Sequence, residues 1–519
     1  MKQIRKIMLV FVILAIVLSS FVACTNTEPT VTTGTTGTQG TTATPTTTLP
    51  PEPTEIQFFI YDMRGVGANA KAITDKVNEI TKASINVTAE FSWLGAADYV
   101  TQLGLVFSSN EAYDLCTIMP REGANFTTLS ANGQLYDITE ILAEYGPEMK
   151  ELVGKYIDAY TVNGKVLGVP TYRNYSSSVY VIMRKDILEQ IGMLDKAKNM
   201  TTFTGLEEIL EAVKTKTNLS GLCGTKNISY MAGIVNGSDK FAESTLFDTL
   251  SDVLNVSFVD DSGKISLLPE NAAFKYQMDM VRRWYNKGYI YQDSMVTEDH
   301  PDTLIKAGVS FAEIQTSEIG VETAKSSATG FPMTAVEIAK NLLASGFVNK
   351  FGTGVPITAD EPEAAVMWLQ ELYTNPVLEN LMVWGIEGED YVVTDGVAEY
   401  PAGVDPKNVK FHSVDFVYGN YFNALPWKGT SKDFRQVAMQ TLKAAPISKY
   451  LGFSPNMKDL TNLIAALTAV NDQHRAKIYV GAYTDADYAA YIAALKAAGV
   501  EQYLAALQTQ LDAWVAANK

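Results

Sequence analysis

Strand-like and helix-like periodicities alternate near the start of the chain, and this alternation constrains the fold more than any other feature. Strand-like apolar or β-branched runs lie at residues 56–61, 85–93 and 113–119. Between them, Ile73, Val77 and Ile80 share one helix face, and a second helical stretch covers 97–108. Because strands joined through helices pair in parallel, this order predicts an α/β fold with a parallel sheet covered by helices.

The N-terminus has the pattern of an export signal that ends at Cys24. Lys2, Arg5 and Lys6 precede an uncharged and almost wholly apolar run at 7–23. This run is at the lower limit for a membrane-spanning helix, and its charged start and small final residues are typical of a signal peptide. An uncleaved anchor and a soluble secreted product are the alternatives.

The junction FVAC at 21–24 resembles the bacterial lipobox, in which the cysteine becomes the lipid-modified first residue. This resemblance implies that residues 1–23 are a lipoprotein signal peptide and that Cys24 anchors the protein to the outer face of the cell membrane. Residues 24–54 are expected to form a disordered tether, because half of the residues from 25 to 54 are Thr and almost none can be buried.

The length of the chain indicates how many lobes it forms, and its charge indicates which classes of partner it can bind. About 465 residues follow the tether, which is too many for one hydrophobic core, so two lobes are expected. The formal charge of −17 becomes −20 without Lys2, Arg5 and Lys6. Such an acidic body repels phosphates, so nucleic acid is not an expected partner. The three histidines are far apart in sequence, which argues against a zinc site or a histidine-based triad.

Three short motifs have plain structural interpretations. Cys116 lies in an apolar run, which favours a buried free thiol over a disulfide with Cys223. RGVGANA at 64–70 mimics a dinucleotide fingerprint, but an exported protein meets little nicotinamide cofactor, so a sharp turn is preferred. DDSGK at 260–264 lacks the later glutamate of a calcium loop, so a surface turn is expected. We therefore expect neither a cofactor nor a metal.

Local signals predict several turns and helix starts. Asn163-Gly164 is the pair that a two-residue hairpin turn prefers. Thr204 with Glu207, and Thr484 with Asp487, have the spacing of a capping box at a helix start. A last helix is expected at 501–517, and the apolar stripes of the C-terminal helices are interpreted as core-facing.

Aromatic residues in polar loops are the more informative signal for function. An aromatic ring covers the C–H face of a sugar, and neighbouring Asp, Asn, Arg and Glu side chains bond the hydroxyl groups that binding strips of water. Each ring alone is compatible with ordinary packing, but the set favours a carbohydrate-binding cleft. The residues are Trp93, Tyr172, Tyr175, Trp384, Tyr418 and Tyr421.

Longer stretches resemble one protein family over nearly the whole chain. They are GKVLGVPTYRNYSSSVYVIMRKDIL at 164–188, GMLDKAKNMTTFTGLEEIL at 192–210, RRWYNKGYIYQD at 282–293, WGIEGEDY at 384–391, YGN at 418–420 and AAGVEQYLAALQTQLDAW at 497–514. These stretches resemble the extracellular solute-binding protein family 1, the substrate-binding lipoproteins of ABC importers. The resemblance is to the Gram-positive subgroup that carries a C-terminal domain of unknown function.

The resemblance implies a two-lobed, type II periplasmic-binding-protein-like α/β fold. Each lobe would be a sheet flanked by helices, and the C-terminus would be helical. Lobe I is expected at 55–169 and 331–385, and lobe II at 170–330 and 386–519. The chain would then cross between the lobes near 170, near 330 and near 385.

The resemblance also implies a monomeric receptor and not an enzyme. It would capture an oligosaccharide in the cleft between the lobes and deliver it to the permease subunits of an ABC importer, with a membrane contact through its lipid. An exported glycoside hydrolase and a peptide-binding receptor of the same fold are the alternatives. With Trp93 from the aromatic pattern, the expected ligand-binding residues are Tyr61, Asp62, Trp93, Arg121, Tyr172, Asn174, Glu313, Trp384, Glu387 and Asn420.

Overall fold

The strands and helices begin in the order that the alternating periodicity predicts. The computed structural model describes residues 52–224, 248–250, 254–260, 262–406 and 408–518, so the predicted signal peptide, Cys24 and the tether up to residue 51 lie outside the described residues. The strands are β1 (Thr54–Asp62), β2 (Val87–Gly95), β3 (Leu115–Ile118), β4 (Thr161–Val162), β5 (Lys165–Val166), β6 (Val169–Pro170), β7 (Ser178–Arg184), β8 (Ser220–Leu222), β9 (Ser257–Val259), β10 (Ile265–Leu267), β11 (Ser310–Ser317), β12 (Met333–Lys340), β13 (Gly352–Gly354), β14 (Val392–Thr394) and β15 (Val397–Glu399). The α-helices are α1 (Ala70–Ile85), α2 (Tyr99–Ser109), α3 (Phe126–Ala131), α4 (Thr139–Tyr145), α5 (Pro147–Val153), α6 (Lys185–Ile191), α7 (Leu194–Lys198), α8 (Phe203–Lys216), α9 (Ala272–Asn286), α10 (Pro301–Lys306), α11 (Val321–Thr329), α12 (Ser345–Val348), α13 (Pro362–Thr374), α14 (Pro376–Trp384), α15 (Phe434–Lys443), α16 (Thr461–Val480), α17 (Asp485–Ala497) and α18 (Val500–Ala517).

Two separate sheets organise these elements. The first sheet has the order β2-β1-β3-β13-β6, and β1 pairs in parallel with both of its neighbours, as predicted. β13 runs antiparallel to β3 and to β6, so the sheet is mixed at its other side. The second sheet has the order β12-β7-β11-β8, in which β7 is antiparallel to β11 and to β12.

Each sheet has its own hydrophobic core. The first core packs helices against the first sheet around Phe58, Tyr99 and Trp368, all at most 1% exposed. The second core packs helices against the second sheet around Phe203 and Trp284. We call the first sheet with its core the first lobe, and the second sheet with its core the second lobe. The split agrees with the expectation that a chain of this length exceeds one core.

Three crossing segments join the two lobes. They are residues 171–177 between β6 and β7, residues 341–351 between β12 and β13, and residues 444–460 between α15 and α16. The first two pair through Asn341, whose N–H donates to Ser177 O at 2.9 Å. The last two pair through Leu343, whose N–H donates to Pro446 O at 2.7 Å. The segments therefore satisfy part of one another's backbone hydrogen bonding.

Two lobe boundaries differ from those that the family resemblance implied. Residues 333–340 were expected in lobe I, but β12 is an edge strand of the second sheet, paired with β7, so the chain crosses after 340 and not near 330. Residues from 386 onwards were expected in lobe II, but Phe411, Val417 and Leu442 are buried in the first core. The third crossing therefore lies at 444–460 and not near 385.

Turn and capping chemistry explains how several elements start and stop. Asn163 and Gly164 have φ of 52° and 77°, which is the left-handed pair that joins β4 to β5 in the predicted hairpin. The predicted capping box of Thr484 and Asp487 opens α17. The prediction for α8 was wrong by two residues, because Thr202 and not Thr204 caps that helix. Of the helices in the described part of the chain, none is both long and apolar enough to cross a membrane.

The two cysteines beyond Cys24 lie in different lobes as buried free thiols, so the free thiol expected at Cys116 is confirmed. Burial raises the pKa of Cys116 and of Cys223 to about 12. Because the thiolate is the reactive form, neither should react in the folded state.

We predict that the folded unit 50–519 gives no colour with Ellman's reagent, and that it gives the full signal of its two thiols once it is unfolded in guanidinium. Cys116→Ala and Cys223→Ala variants should each halve the signal of the unfolded chain. A rapid reaction of the folded protein would contradict the burial of these thiols.

Candidate functional site

The carboxyl end of β1 places a buried acid at the edge of the first sheet. Asp62 is 1% exposed, and one of its carboxylate oxygens accepts from the Arg64 N–H at 3.0 Å and from the Ser413 hydroxyl at 3.4 Å. Burial raises the pKa of Asp62, and these hydrogen bonds oppose that shift. The neighbouring Tyr61 is also buried, and its backbone oxygen accepts from the Tyr418 hydroxyl.

We call residues 411–435 the strap, because this segment lies across the end of the first sheet. Within the strap, the Ser413 N–H donates to Val383 O at 2.8 Å, and Tyr418 is fully buried in the first core. Both polar atoms of the Asn420 side chain form hydrogen bonds. Nδ2 donates to Tyr373 O at 3.0 Å, and Oδ1 accepts from the Phe422 N–H of the strap at 3.1 Å. Asn420 therefore holds the strap, and its amide is already occupied.

An aromatic cluster lies where the strap meets the C-terminal end of α14. Trp427 lies between three rings, with centroid distances of 4.7 Å to Trp384, 4.3 Å to His412 and 4.8 Å to Tyr400. Trp384 is 4% exposed, and its Nε1 donates to Leu425 O at 3.1 Å. Tyr400 and Trp427 are half-buried. Trp384 is thus the buried support of the cluster, while Tyr400 and Trp427 present ring surface to solvent.

The histidine of this cluster is uncharged at neutral pH. Burial, with a smaller effect of the Arg64 charge, lowers the pKa of His412 to about 3. Its Nδ1 lies 2.7 Å from the Tyr400 hydroxyl. A neutral ring with one nitrogen bonded to a tyrosine is a packing and hydrogen-bonding group, and it adds no charge to the aromatic surface.

The first crossing segment pairs with the strap at Tyr172. Its N–H donates to Gly419 O and its carbonyl accepts from the Tyr421 N–H, both at 2.9 Å. Asn174, two residues further, is 1% exposed, and its Oδ1 accepts from the N–H and hydroxyl of Ser176. The Asn174 Nδ2 has no hydrogen-bond partner among the described residues, and it is buried.

Charged groups from both lobes meet beside the crossing segments at Glu318, which follows β11. Its carboxylate lies 3.6 Å from Arg173 Nη1, while its side chain stays 47% exposed. Burial raises the pKa of Glu318, Arg173 and Lys350 oppose this shift, and Asp415 of the strap adds to it. Asp415 itself pairs with Arg435 at 2.5 Å. Glu318 is thus surrounded by charged groups of two crossing segments and of the strap, and yet it is open to water.

Other predicted site residues lie apart from these groups. Arg121 is exposed in the loop after β3, where its charge acts on Tyr61, and Glu387 is exposed in the turn after α14. Trp93 is half-buried, and its ring meets Phe411 of the strap edge-on at 5.7 Å. Tyr61 and Asp62 end β1, Trp93 lies in β2 and Trp384 ends α14, whereas Arg121, Tyr172, Asn174, Glu387 and Asn420 lie in connecting segments. The structure brings only some of these residues together.

Glu313 was expected in the cleft, and the structure places it elsewhere. Its side chain is fully buried on the face of the second sheet that α10 and α11 cover, 2.8 Å from Lys325 Nζ. Lys325 also pairs with Asp302 of α10 at 2.8 Å. Burial raises the pKa of Glu313 to about 7, against the effect of Lys325. Glu313 therefore fastens α11 to the sheet, and its carboxylate is closed off from solvent.

Arg173, Glu318, Tyr400, His412 and Trp427 were not identified as site residues from the sequence. Arg173 stood within the PTYRNYSSS loop, so its position beside Tyr172 was the available signal. Glu318 is a single acidic residue after a strand, and only the fold brings it to Arg173. Within the described part of the chain, no group of three or more His, Cys, Asp or Glu side chains could hold a metal ion.

A buried glutamate supports the strap from below. Glu379 of α14 is fully buried, and its Oε2 accepts from the Asn420 N–H at 3.0 Å, while Oε1 has no partner among the described residues. Burial raises its pKa to about 8. The strap passes so close that a Cβ at Gly419 would lie 2.2 Å from Glu379 Oε2, so only glycine fits there.

Sequence comparison identifies two matching families. The family of bacterial extracellular solute-binding proteins matches residues 75–386, and a domain of unknown function, DUF3502, matches residues 449–516. A similar protein of Streptococcus pneumoniae, described as a carbohydrate ABC transporter substrate-binding protein, is 23% identical over 476 residues, which cover 87% of this chain and 89% of that protein.

Two solved structures illustrate the similarity of the fold. The N-glycan transport solute-binding protein NgtS of Streptococcus pneumoniae has a TM-score of 0.74 at 20% identity, over 90% of this chain and 100% of that one. A solute-binding protein of Bifidobacterium longum infantis, described as HMO-binding, has a TM-score of 0.61 at 14% identity, over 90% and 99% of the two chains. These likenesses support the two-lobed fold.

We predict that Glu379 makes the protein less stable as the pH rises from about 4.5 to about 8. In this window the folded protein holds a proton that the unfolded chain has released, so the contribution to stability is complete below about pH 4.5 and is lost towards pH 8. One such group changes the free energy of unfolding by at most about 1.4 kcal/mol per pH unit. Urea unfolding at several pH values should show a shallower fall for Glu379→Gln than for the wild type.

The matched control is Glu389→Gln, which changes an exposed carboxylate in the turn after α14. It should leave the pH dependence of the wild type unchanged. If Glu379→Gln and the wild type had the same slope, Glu379 would not hold its proton in the folded state.

Proposed function

Because the chain belongs to the family of bacterial extracellular solute-binding proteins, we propose that it is the substrate-binding component of an ABC importer and that it captures an oligosaccharide. It binds its ligand in the groove between the lobes, without chemistry, and delivers it to the permease subunits. The carbohydrate class is supported by the descriptions of the similar proteins, which name carbohydrate, N-glycan and HMO. A monomer held on the membrane by a lipid at Cys24 completes the proposal.

The observation that carries the proposal is the set of three crossing segments between two separately packed lobes. A closing motion concentrates its φ and ψ changes in a few linking residues while each core stays intact. The segments 171–177, 341–351 and 444–460 are suited to this motion because each core is complete on its own side. A ligand that contacts both lobes binds the closed state more tightly than the open state. It therefore shifts the equilibrium towards the closed state.

The groups around the groove have the chemistry that a neutral sugar requires. Trp427 and Tyr400 supply aromatic surface for the C–H face of a sugar ring. The Glu318 carboxylate can accept hydrogen bonds from hydroxyl groups, and the Arg173 guanidinium beside it can donate to them. Of the residues expected from the sequence, Asp62, Tyr172 and Trp384 act as supports beside these groups.

The function is tested by titrating intrinsic tryptophan fluorescence with neutral oligosaccharides and with peptides, while product formation is followed by chromatography. Saturable binding of an oligosaccharide without any product supports the proposal. Release of shorter sugars would establish the glycoside hydrolase alternative, and saturable binding of peptides alone would establish the peptide receptor.

We predict that Trp427→Ala weakens oligosaccharide binding by about 1–3 kcal/mol, because the variant loses a half-buried ring that a sugar can cover. Isothermal titration calorimetry measures the change. Tyr400→Phe is the matched control, since it keeps the second ring and removes only the hydroxyl that bonds His412. An unchanged affinity for Trp427→Ala would remove the aromatic cluster from the binding site.

We predict that Cys24→Ala abolishes lipid attachment. Cells that express the wild type with labelled palmitate should yield a labelled protein whose N-terminal peptide begins at Cys24, and the variant should carry no label. A wild-type protein that retains Met1 would support an uncleaved anchor, and unlabelled protein in the medium would support a soluble product.

A further inference from the structure

A cavity lies against the last helix, and it shares no described lining residue with the groove between the lobes. Its volume is about 460 Å³, within the range of small-molecule sites. Three parts of the chain form its walls: the turn between β9 and β10, the third crossing segment and the C-terminal half of α18. Most of its lining residues fall within 449–516, the region that matches a domain of unknown function.

Two aromatic side chains, together with Leu511 and Val515, form the apolar part of the cavity wall. Trp514 is half-buried, and the edge of its ring meets Phe453 at a centroid distance of 6.0 Å. It also approaches Gly452, where a Cβ would lie 3.3 Å from the indole ring and where φ is +101°. Tyr450 is 7% exposed, and its hydroxyl donates to Asp260 O at 3.4 Å. Both rings are therefore fixed by the protein before any ligand arrives.

The polar part of the wall consists of exposed side chains around these rings. Asp512 and Asn518 of the C-terminal end, Ser262 of the turn, and Lys449 of the crossing segment contribute a carboxylate, an amide, a hydroxyl and an ammonium group. One acid and one base give the wall no net charge. This chemistry suits a neutral ligand with several hydroxyl groups and one apolar face.

Hydrogen bonds hold the three walls in fixed positions. Gln508 of α18 reaches the turn on two sides: its Oε1 accepts from the Ile265 N–H at 2.7 Å, and its Nε2 donates to Gly263 O at 3.0 Å. Gln510 of α18 accepts from the Asn456 N–H at 2.7 Å and so binds the helix to the end of the third crossing segment. A cavity with walls tied in this way is preformed, which reduces the entropic cost of binding.

We propose that this cavity is a second carbohydrate site, which accepts a neutral saccharide with one ring face against Trp514. The chemistry of its wall carries this assignment independently of the function proposed for the groove. A saccharide in this site contacts both the third crossing segment and α18, so it adds contacts across the connection that joins α15 to the C-terminal helices. The C-terminal region thereby acquires a binding role of its own.

The test uses protein labelled with 5-fluorotryptophan, in which fluorine NMR reports each tryptophan separately. Resonances are assigned with Trp514→Phe, Trp427→Phe and Trp384→Phe variants, and the probes are mannobiose and N,N′-diacetylchitobiose at millimolar concentrations. We expect at least one disaccharide to shift the Trp514 resonance in a saturable manner. Groove binding is read separately from the Trp384 and Trp427 resonances.

The exposed residue Asp512 gives a variant that should keep the fold. Asp512→Asn should weaken the Trp514 titration at least fivefold and leave the Trp384 and Trp427 shifts unchanged. Asp459→Asn, an exposed acid of the third crossing segment outside the cavity wall, is the control and should titrate like the wild type. A Trp514 resonance that does not move with either disaccharide overturns the second site, whether or not the groove resonances respond.

Discussion

The pairing of the three crossing segments is the constraint on which the rest of the structure depends. Chain that leaves one core for another must satisfy its buried backbone groups without the help of either sheet. Here Asn341 donates to Ser177, Leu343 donates to Pro446, and Ser448 returns a hydrogen bond to Leu343 at 2.9 Å. Segments far apart in sequence thus form one connection, which keeps the lobes adjacent while leaving each core complete.

Local signals predicted those parts of the fold that short stretches of chain determine. The parallel pairing of β1 with β2 and β3, the hairpin at Asn163-Gly164 and the capping box at Thr484 all depend on patterns within a few residues or on strand order. The lobe boundaries depend on long-range packing. β12 pairs with the second sheet, and Phe411 is buried in the first core. No periodic pattern in the sequence assigns these segments to one lobe or the other.

The candidate site was harder to predict because a polar residue near a strand end can either face a ligand or form hydrogen bonds within the fold. The sequence does not distinguish these two roles. Asn420 lies in a loop as expected and Trp384 ends α14, yet their polar atoms are bonded to Tyr373 and Leu425 within the fold. Glu313 lay on a strand with alternating side chains, and periodicity did not reveal which face α11 covers. Its ion pair with Lys325 decides that. Glu318 became a candidate only through Arg173, which lies more than 140 residues away in sequence.

The ion pair between Arg173 and Glu318 contributes too little free energy to determine the relative position of the lobes. At 3.6 Å and with nearly half of the glutamate side chain exposed, such a pair contributes about 0–1 kcal/mol. The hydroxyl groups of a ligand can therefore replace it at little cost, since both charged groups keep hydrogen-bonding partners when they turn to a sugar. Under the function that we propose, the free energy of closure comes from the new contacts of the ligand with both lobes, and the pair serves to keep Arg173 and Glu318 oriented towards the groove.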